Sequence, residues 1–422
     1  MNKLFFTLLI FIFHQNPAHA YIDPGGITAF IQLLFAGLIT SFFFLRSSIK
    51  NFFQKINFFL FDIRQLYKFL KTKNKIVIFC ESNSYSQYFH PIAKTLTKNG
   101  IEFLYLCKKN YKVDSRKNIN NNFFLEFNSQ FFLLLTLSII ECENLILTTP
   151  DFGKSKKLRI SKKCKKIIYI FHAATSSSMV YNEGAFDGYD YICCVGTHHF
   201  LELSDHCFEK KLNNQLVKFG YPYLDHLIAN AEKYNFEKNH ILIAPTWYPE
   251  YPDYYQDIYK PIVEELLENK FKVIFRPHPE YLKRFSNNFY DFKQNFSSDH
   301  NFEVNDHDEN LQIMQKANFL ITDWSGIAFE YAYTFLRPVI FIEGPKKILN
   351  KNYSKFKNLP IEITDREELG EIWNPKENYK VSDLVQKIKT NEILYQEKIT
   401  KNLEKNIYNL GKSSEEILKL LN

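Results

Sequence analysis

Three stretches of the 422-residue sequence end an apolar run in residues able to move a proton or hold an anion. The first is Ile168-Tyr-Ile-Phe-His172-Ala-Ala-Thr-Ser-Ser, a β-rich run that stops at a histidine followed by small and hydroxylated residues. A neutral imidazole at a strand end can accept the proton of a hydroxyl nucleophile near pH 7. The same residue also reads as a capping or core histidine. The second is Val273-Ile-Phe-Arg276-Pro277-His278-Pro279. Proline fixes its own φ and restricts the residue before it, so His278 sits on a stiff loop. A donor held there suits a phosphate oxygen, and Arg276 either does the same or forms a structural ion pair. The third is Phe319-Leu-Ile-Thr322-Asp323-Trp324-Ser325-Gly326-Ile-Ala-Phe-Glu330, a strand giving way to a helix. Free N–H groups at a helix start beside Thr322 and Ser325 make an anion site, and Gly326 lets a ligand come close. Glu330, one turn in, can reach a ribose or acceptor hydroxyl. The plain alternative is an N-cap by Asp323 or Ser325. Gly220-Tyr-Pro-Tyr-Leu-Asp225 and Ala244-Pro-Thr246-Trp247 are two further strand-to-turn junctions.

These residues need strands to present them. From about residue 74, short β-rich runs alternate with helical patterns, which predicts βαβ units and parallel sheets. The first half carries runs at 75–80, 102–107, 144–148, 167–171, 189–195 and 215–219. The second carries runs at 240–244, 272–275, 319–322 and 338–342. The polar stretch 231–239 separates them. The expected fold class is α/β, two doubly wound Rossmann-like domains facing a cleft, with ligands outside the carboxyl ends of the strands. The expected divisions are a first domain at 74–232, a second at 233–390, and one charged amphipathic helix over 391–422 that packs back on the first half. Asn118–Asn122 reads as a loop.

The N-terminal seventy residues read as a membrane address. Residues 1–20 have the form of a signal peptide: Lys3, the apolar run Leu4–Phe13, and Ala18-His19-Ala20 as a cleavage site. Ile27–Leu45 is uncharged and long enough to cross about 30 Å of hydrocarbon. Residues 21–46 are therefore the expected anchor, the alternative being a buried core helix. Arg46, Lys50 and Lys55 follow it directly, which predicts a cell-membrane protein with its bulk in the cytoplasm. Residues 47–73 mix basic and aromatic side chains, as for a helix at the membrane interface or one packed on the next domain.

Composition narrows the classes further. Hydrophobic residues at 45% supply a sizeable core, so wholesale disorder is excluded. Seven cysteines without framework spacing exclude a disulfide scaffold and fit reduced thiols. His198, His199 and His206 lack carboxylates at metal spacing and read as surface or packing residues, so no metal and no cofactor are expected. The net charge of +7 fits an anionic substrate or a membrane surface. No recognition motif for nucleic acid accompanies it.

Taken in order, five fragments resemble the CDP-glycerol glycerophosphotransferase family, which includes teichoic acid primases and polymerases. The family's His-Gly-Thr after a strand is here His172-Ala173-Ala174. Its Gly-x-Pro-Arg-x-Asp is Gly220-Tyr-Pro222-Tyr223-Leu-Asp225, and its Ala-Pro-Thr-Trp-Arg is Ala244-Pro-Thr246-Trp247-Tyr248. Its Arg-x-His-Pro is Arg276-Pro-His278-Pro279, and its Ser-Asp-Tyr-Ser-Ser before a helix is Thr322-Asp323-Trp-Ser325-Gly326 with Glu330. The resemblance spans about residues 165–345. It implies a GT-B architecture with the nucleotide in the second domain. It also implies attack of an acceptor hydroxyl on the β-phosphorus of CDP-glycerol, with CMP released. His172 would then be the general base and His278 the pyrophosphate stabiliser, with Arg276, Thr246, Asp225, Thr322, Asp323, Ser325, Gly326 and Glu330 around the substrate and phosphates. The donor would be a CDP-activated polyol and the acceptor lipid-linked or a surface polymer. The Gly-Thr after the first histidine and both arginines are replaced here. A GT-B glycosyltransferase or sugar-nucleotide epimerase using a UDP- or GDP-sugar is the alternative, and a binding protein that has kept the fold is a third reading.

Overall fold

The structure, a computed structural model, describes residues 24–73, 75–109, 124–151, 159–232, 239–305, 310–376 and 380–421. The expected signal peptide and the Asn118–Asn122 loop lie outside them. The chain divides into two units, Met1–Phe61 and Asp62–Asn422.

The described residues of the first unit, 24–61, are helical. The helix Pro24–Lys71 has 48 residues and continues past the unit boundary. Among the described residues it is the one helix long and apolar enough to cross a membrane. All residues from 31 to 44 are exposed, including Leu33, Phe35, Leu38, Phe42 and Phe44. A buried core helix is the opposite of this pattern.

The second unit holds two parallel sheets. The first contains β1 (Ile76–Cys80), β2 (Leu104–Lys108), β3 (Phe124–Phe127), β4 (Cys142–Leu147), β5 (Cys164–Ile170), β6 (Tyr191–Cys194) and β7 (Gln215–Lys218), in the order β3-β2-β1-β4-β5-β6-β7. The second contains β8 (His240–Ile243), β9 (Lys272–Phe275), β10 (Phe302–Val304), β11 (Ala317–Thr322), β12 (Val339–Ile342) and β13 (Gly370–Trp373), in the order β10-β9-β8-β11-β12-β13. Every pairing is parallel. Strands covered on both faces need continuous apolar runs. β1 (Ile-Val-Ile-Phe-Cys) and β12 (Val-Ile-Phe-Ile) are buried throughout. Because all strands of a sheet point one way, their carboxyl ends share one edge. Strand order reverses between β1 and β4 and between β8 and β11, which opens a crevice at each place.

Three strands were not expected from the sequence: β3, β10 and β13. All three are sheet edges. An edge strand needs only one partner, and β10 is just three residues long with no fully buried side chain.

The expected single C-terminal helix is instead broken. Glu392–Asn406 is helical, Ser413–Glu415 is a short 3-10 turn and Glu416–Leu421 is a last helix. Gly411 between them has φ +79°, a left-handed turn conformation that glycine adopts without steric cost. The segment crosses between the two sheets' halves. Asn402 and Asn406 donate to Asp365 at 2.8 and 2.6 Å. Tyr408 N–H then reaches Val195 O at 3.0 Å and Asn409 Nδ2 reaches Lys218 O at 2.6 Å. It thus packs back on the first half, as the sequence predicts.

Candidate active site

His172 follows β5 and Phe171, at the carboxyl edge of the first sheet. Its Nδ1 lies 3.0 Å from Thr148 Oγ1, at the end of neighbouring β4. Burial pushes its pKa down to about 4, and a backbone bond to Thr148 opposes that fall. An acceptor that stabilises the ring proton at Nδ1 leaves Nε2 as the basic atom. Beneath it Phe171 stacks on buried His199 with centroids 3.9 Å apart. His199 bonds Thr175 O and His206 bonds Asp187, both packing roles.

His278 follows β9 on the second sheet, as the N-cap of Pro279–Arg284. Its Nδ1 accepts the N–H of Glu280 at 3.1 Å, and its own backbone N–H donates to Tyr255 Oη at 2.9 Å. With Nδ1 spent as an acceptor, the neutral ring carries its hydrogen on Nε2. Burial, then the cations Lys347 and Arg276, push its pKa down to about 3. It is therefore a neutral donor at physiological pH, where His172 is neutral as well.

The Thr-Asp-x-Ser-Gly turn divides into frame and face. Thr322 Oγ1 donates to Ala244 O at 2.6 Å. Asp323, buried, accepts Thr246 N–H at 2.9 Å and Tyr254 Oη–H at 2.8 Å. These bonds lock the exit of β11 to the exit of β8. Ser325 is half-buried and its hydroxyl has no partner among the described residues, while Gly326 opens the helix Ile327–Phe335. A Cβ on Gly326 would lie 3.2 Å from Thr175 Cγ2 and 3.9 Å from Ala173 Cβ. The helix start thus abuts the loop carrying His172. Where the family pattern has Gly then Ser, this chain has Ala173 opposite Gly326, so bulk lost on one side is regained on the other.

Glu330 is buried on that helix and accepts Tyr221 Oη–H at 2.9 Å, across the two halves. Burial raises its pKa to about 7, with Tyr221 and Arg276 opposing. Arg276 is anchored by its N–H to Ile243 O at 2.8 Å and faces both His278 and Glu330. Asp225 is committed elsewhere: its oxygens accept Gly411 and Ser413 N–H at 2.7 and 2.8 Å. It clamps the C-terminal segment. The structure thus gathers His278, Arg276, Thr246 and Asp323 at one sheet edge and joins Glu330 to the first half, and it ties Asp225 to the tail.

Sequence reasoning missed Lys347. It lies in the loop after β12, half-buried, with Nζ 3.0 Å from Thr246 Oγ1. Asp323 and His278 are within its electrostatic reach. Tyr248, in the place of the family's arginine, donates from Oη to Pro345 O at 2.5 Å and so holds the same loop. The signal was Gly344-Pro-Lys-Lys347 directly after a strand. Glu81 and Thr149 were missed too; Thr149 Oγ1 donates to Glu81 Oε2 at 2.8 Å across the β1/β4 crevice.

Known proteins carry the same frame. The wall teichoic acid polymerase TagF matches with a TM-score of 0.57 at 17% identity, over 86% of this chain and 91% of that one. A histidine-to-asparagine variant of TagF soaked with CDPG for 30 minutes matches at a TM-score of 0.54 and 16% identity, over 87% of this chain and 97% of that one. A UDP-GlcNAc 2-epimerase of Methanocaldococcus jannaschii, in complex with UDP-GlcNAc and UDP, matches at 0.52 and 15% identity, over 82% and 98%. At these identities the likeness is one of fold, α/β of the GT-B kind. No curated protein matches the chain. The family described as CDP-Glycerol:Poly(glycerophosphate) glycerophosphotransferase matches residues 61–422, all of the second unit and most of the chain. With the two histidine loops and the helix start in the order that the family pattern requires, the chain belongs to the CDP-glycerol glycerophosphotransferase family and is an enzyme of it.

Proposed function

We propose that this enzyme is membrane-anchored and moves glycerol phosphate from CDP-glycerol to a hydroxyl of a lipid-linked or surface-polymer acceptor. His172 Nε2 takes the acceptor's proton. The freed oxygen bonds to the β-phosphorus, and the bond from that phosphorus to the bridging oxygen breaks. The bridging oxygen leaves with the electron pair as part of CMP. His278 Nε2–H, Arg276, Lys347, the Ser325 hydroxyl and the free N–H groups opening Ile327–Phe335 hold the phosphates as charge moves onto the leaving group. Thr322, Asp323 and Thr246 fix the loops that present them. The carrying observation is a pair of imidazoles at the carboxyl ends of the two sheets: Nδ1 of His172 lies against Thr148 and Nδ1 of His278 accepts Glu280 N–H. One ring is left basic and the other left donating, as in-line phosphoryl transfer between them requires.

The anchor rests on the exposed apolar stretch 31–44 followed by Arg46, Lys50 and Lys55, which favours a cytoplasmic catalytic unit at the cell membrane. The sugar-nucleotide alternative shares the fold and lacks the family match. Offering CDP-glycerol, CDP-ribitol, UDP- and GDP-sugars with a membrane lipid extract tests the reading. CMP release confined to a CDP-polyol is the expected result; UDP or GDP release would overturn it.

A further inference from the structure

Charge is divided unevenly around the two histidines. Arg276 and Lys347 stand on the His278 side, and both act on its ring. The His172 side is a wall of tyrosines. Tyr85 lies 4.8 Å from the His172 ring, centroid to centroid, and Tyr88 and Tyr181 lie 6.0 Å from it. Tyr223 meets Tyr88 edge-on at 4.9 Å, and Tyr221 stacks on Tyr88 at 6.2 Å. The charged groups bound into this wall are carboxylates. Glu81 is held by Thr149 at 2.8 Å and Glu330 by Tyr221 at 2.9 Å. Tyr85 faces Glu81 and Glu280, and Tyr88 faces Glu330. Arg276 acts on Glu330, whose charge it offsets. Tyr223 stands where the family pattern has arginine.

A chain end already carrying phosphate would set its negative charge against Glu81 in a half-buried crevice, where like charges interact strongly; Glu330, buried and facing Arg276, adds a smaller share. A sugar or polyol without charge fits the same wall well. Its C–H faces lie on tyrosine rings and its hydroxyls donate to carboxylates. We infer that the acceptor group entering beside His172 is an uncharged glycoside or polyol hydroxyl, and that the enzyme adds one glycerol phosphate instead of elongating a polyanion. This rests on the transferase reading above. The step is the one already given: the acceptor O–H loses its proton to His172 Nε2, the oxygen bonds to the β-phosphorus, and CMP leaves. The product end then carries a negative phosphodiester, which the carboxylates repel, so the first product is a poor second acceptor.

The test uses the full-length protein in detergent with CDP-glycerol. One acceptor probe is an uncharged alkyl-tailed disaccharide; the other is the same compound bearing one terminal glycerol phosphate. The expected result is a kcat/KM at least tenfold higher for the uncharged probe, with a product one unit heavier. Tyr223→Arg should narrow that preference severalfold. Glu81→Gln, which keeps the bond from Thr149, should do so without disturbing the ring packing. Equal or better use of the phosphorylated probe, or a ladder of products, overturns the inference and leaves the transferase reading standing. CMP release with neither probe overturns the reading on which it rests.

Discussion

A buried imidazole that is neutral at pH 7 serves as an acceptor or a donor according to what its other nitrogen bonds, and the proposed mechanism uses one of each. His172 protonates only as pH falls through about 4, and a protonated ring cannot take the acceptor's proton. kcat/KM should therefore fall on the acid side near pH 4, which a pH–rate profile on CMP release checks. His278 stays neutral to about 3, so the limb belongs to His172. Glu330 has the opposite sign. Its folded pKa, about 7, lies above the ordinary carboxylate value. Its contribution to stability is full at low pH and is lost as pH rises through about 7, at up to roughly 1.4 kcal/mol per pH unit. Glu330→Gln keeps an oxygen for Tyr221 and cannot ionise. Thermal melts from pH 5 to 8.5 should show it gaining on the wild type as pH rises. Lys347→Ala should raise the KM for CDP-glycerol about tenfold, the loss of one charge-assisted contact, with Tyr248→Phe a milder version through the Pro345 loop. A steady-state titration of CDP-glycerol reads both.

At the scale of elements, the central strands follow from composition, since a strand covered on both faces must be an unbroken apolar run. The functional loops follow from the strands, since parallel order sends His172, His278 and the Ser325-Gly326 turn to carboxyl ends. The edges did not follow: β3, β10 and β13 have one partner each, and little in their short sequences separates them from loops. Side-chain duties were legible only in part. Thr322, Asp323 and Asp225 are polar residues in telling places, yet their partners are backbone groups distant in sequence, Ala244, Thr246 and Gly411, which no local pattern reveals. Lys347 was hidden for the converse reason: Gly344-Pro-Lys-Lys347 after a strand marks a loop worth noticing, yet does not say which lysine turns inward. The clamp by Asp225 makes a prediction of its own. Its carboxylate holds two N–H groups of the C-terminal segment, and charged hydrogen bonds of this kind contribute about 1.5–3 kcal/mol each. Asp225→Ala should lower the melting temperature and expose the residues after Asn406 to protease, with limited proteolysis as the readout.

For the whole molecule, the family match and the second structural unit begin almost together, at residue 61 and at Asp62. Asp62 belongs with the catalytic part, because its carboxylate accepts the N–H groups of Asn128 and Ser129 at 2.7 and 2.9 Å. A chain beginning at residue 60 should stay soluble in a high-speed spin where the full-length protein pellets with membranes. The same cut placed at residue 64 should lose stability. The central claim is that the two histidines carry glycerol phosphate transfer, and the most direct measurement is transfer of labelled glycerol phosphate by His172→Gln and His278→Gln. The account predicts a loss of at least about a hundredfold in each, with melting temperatures near the wild type. Full turnover in a folded His172→Gln enzyme would contradict it.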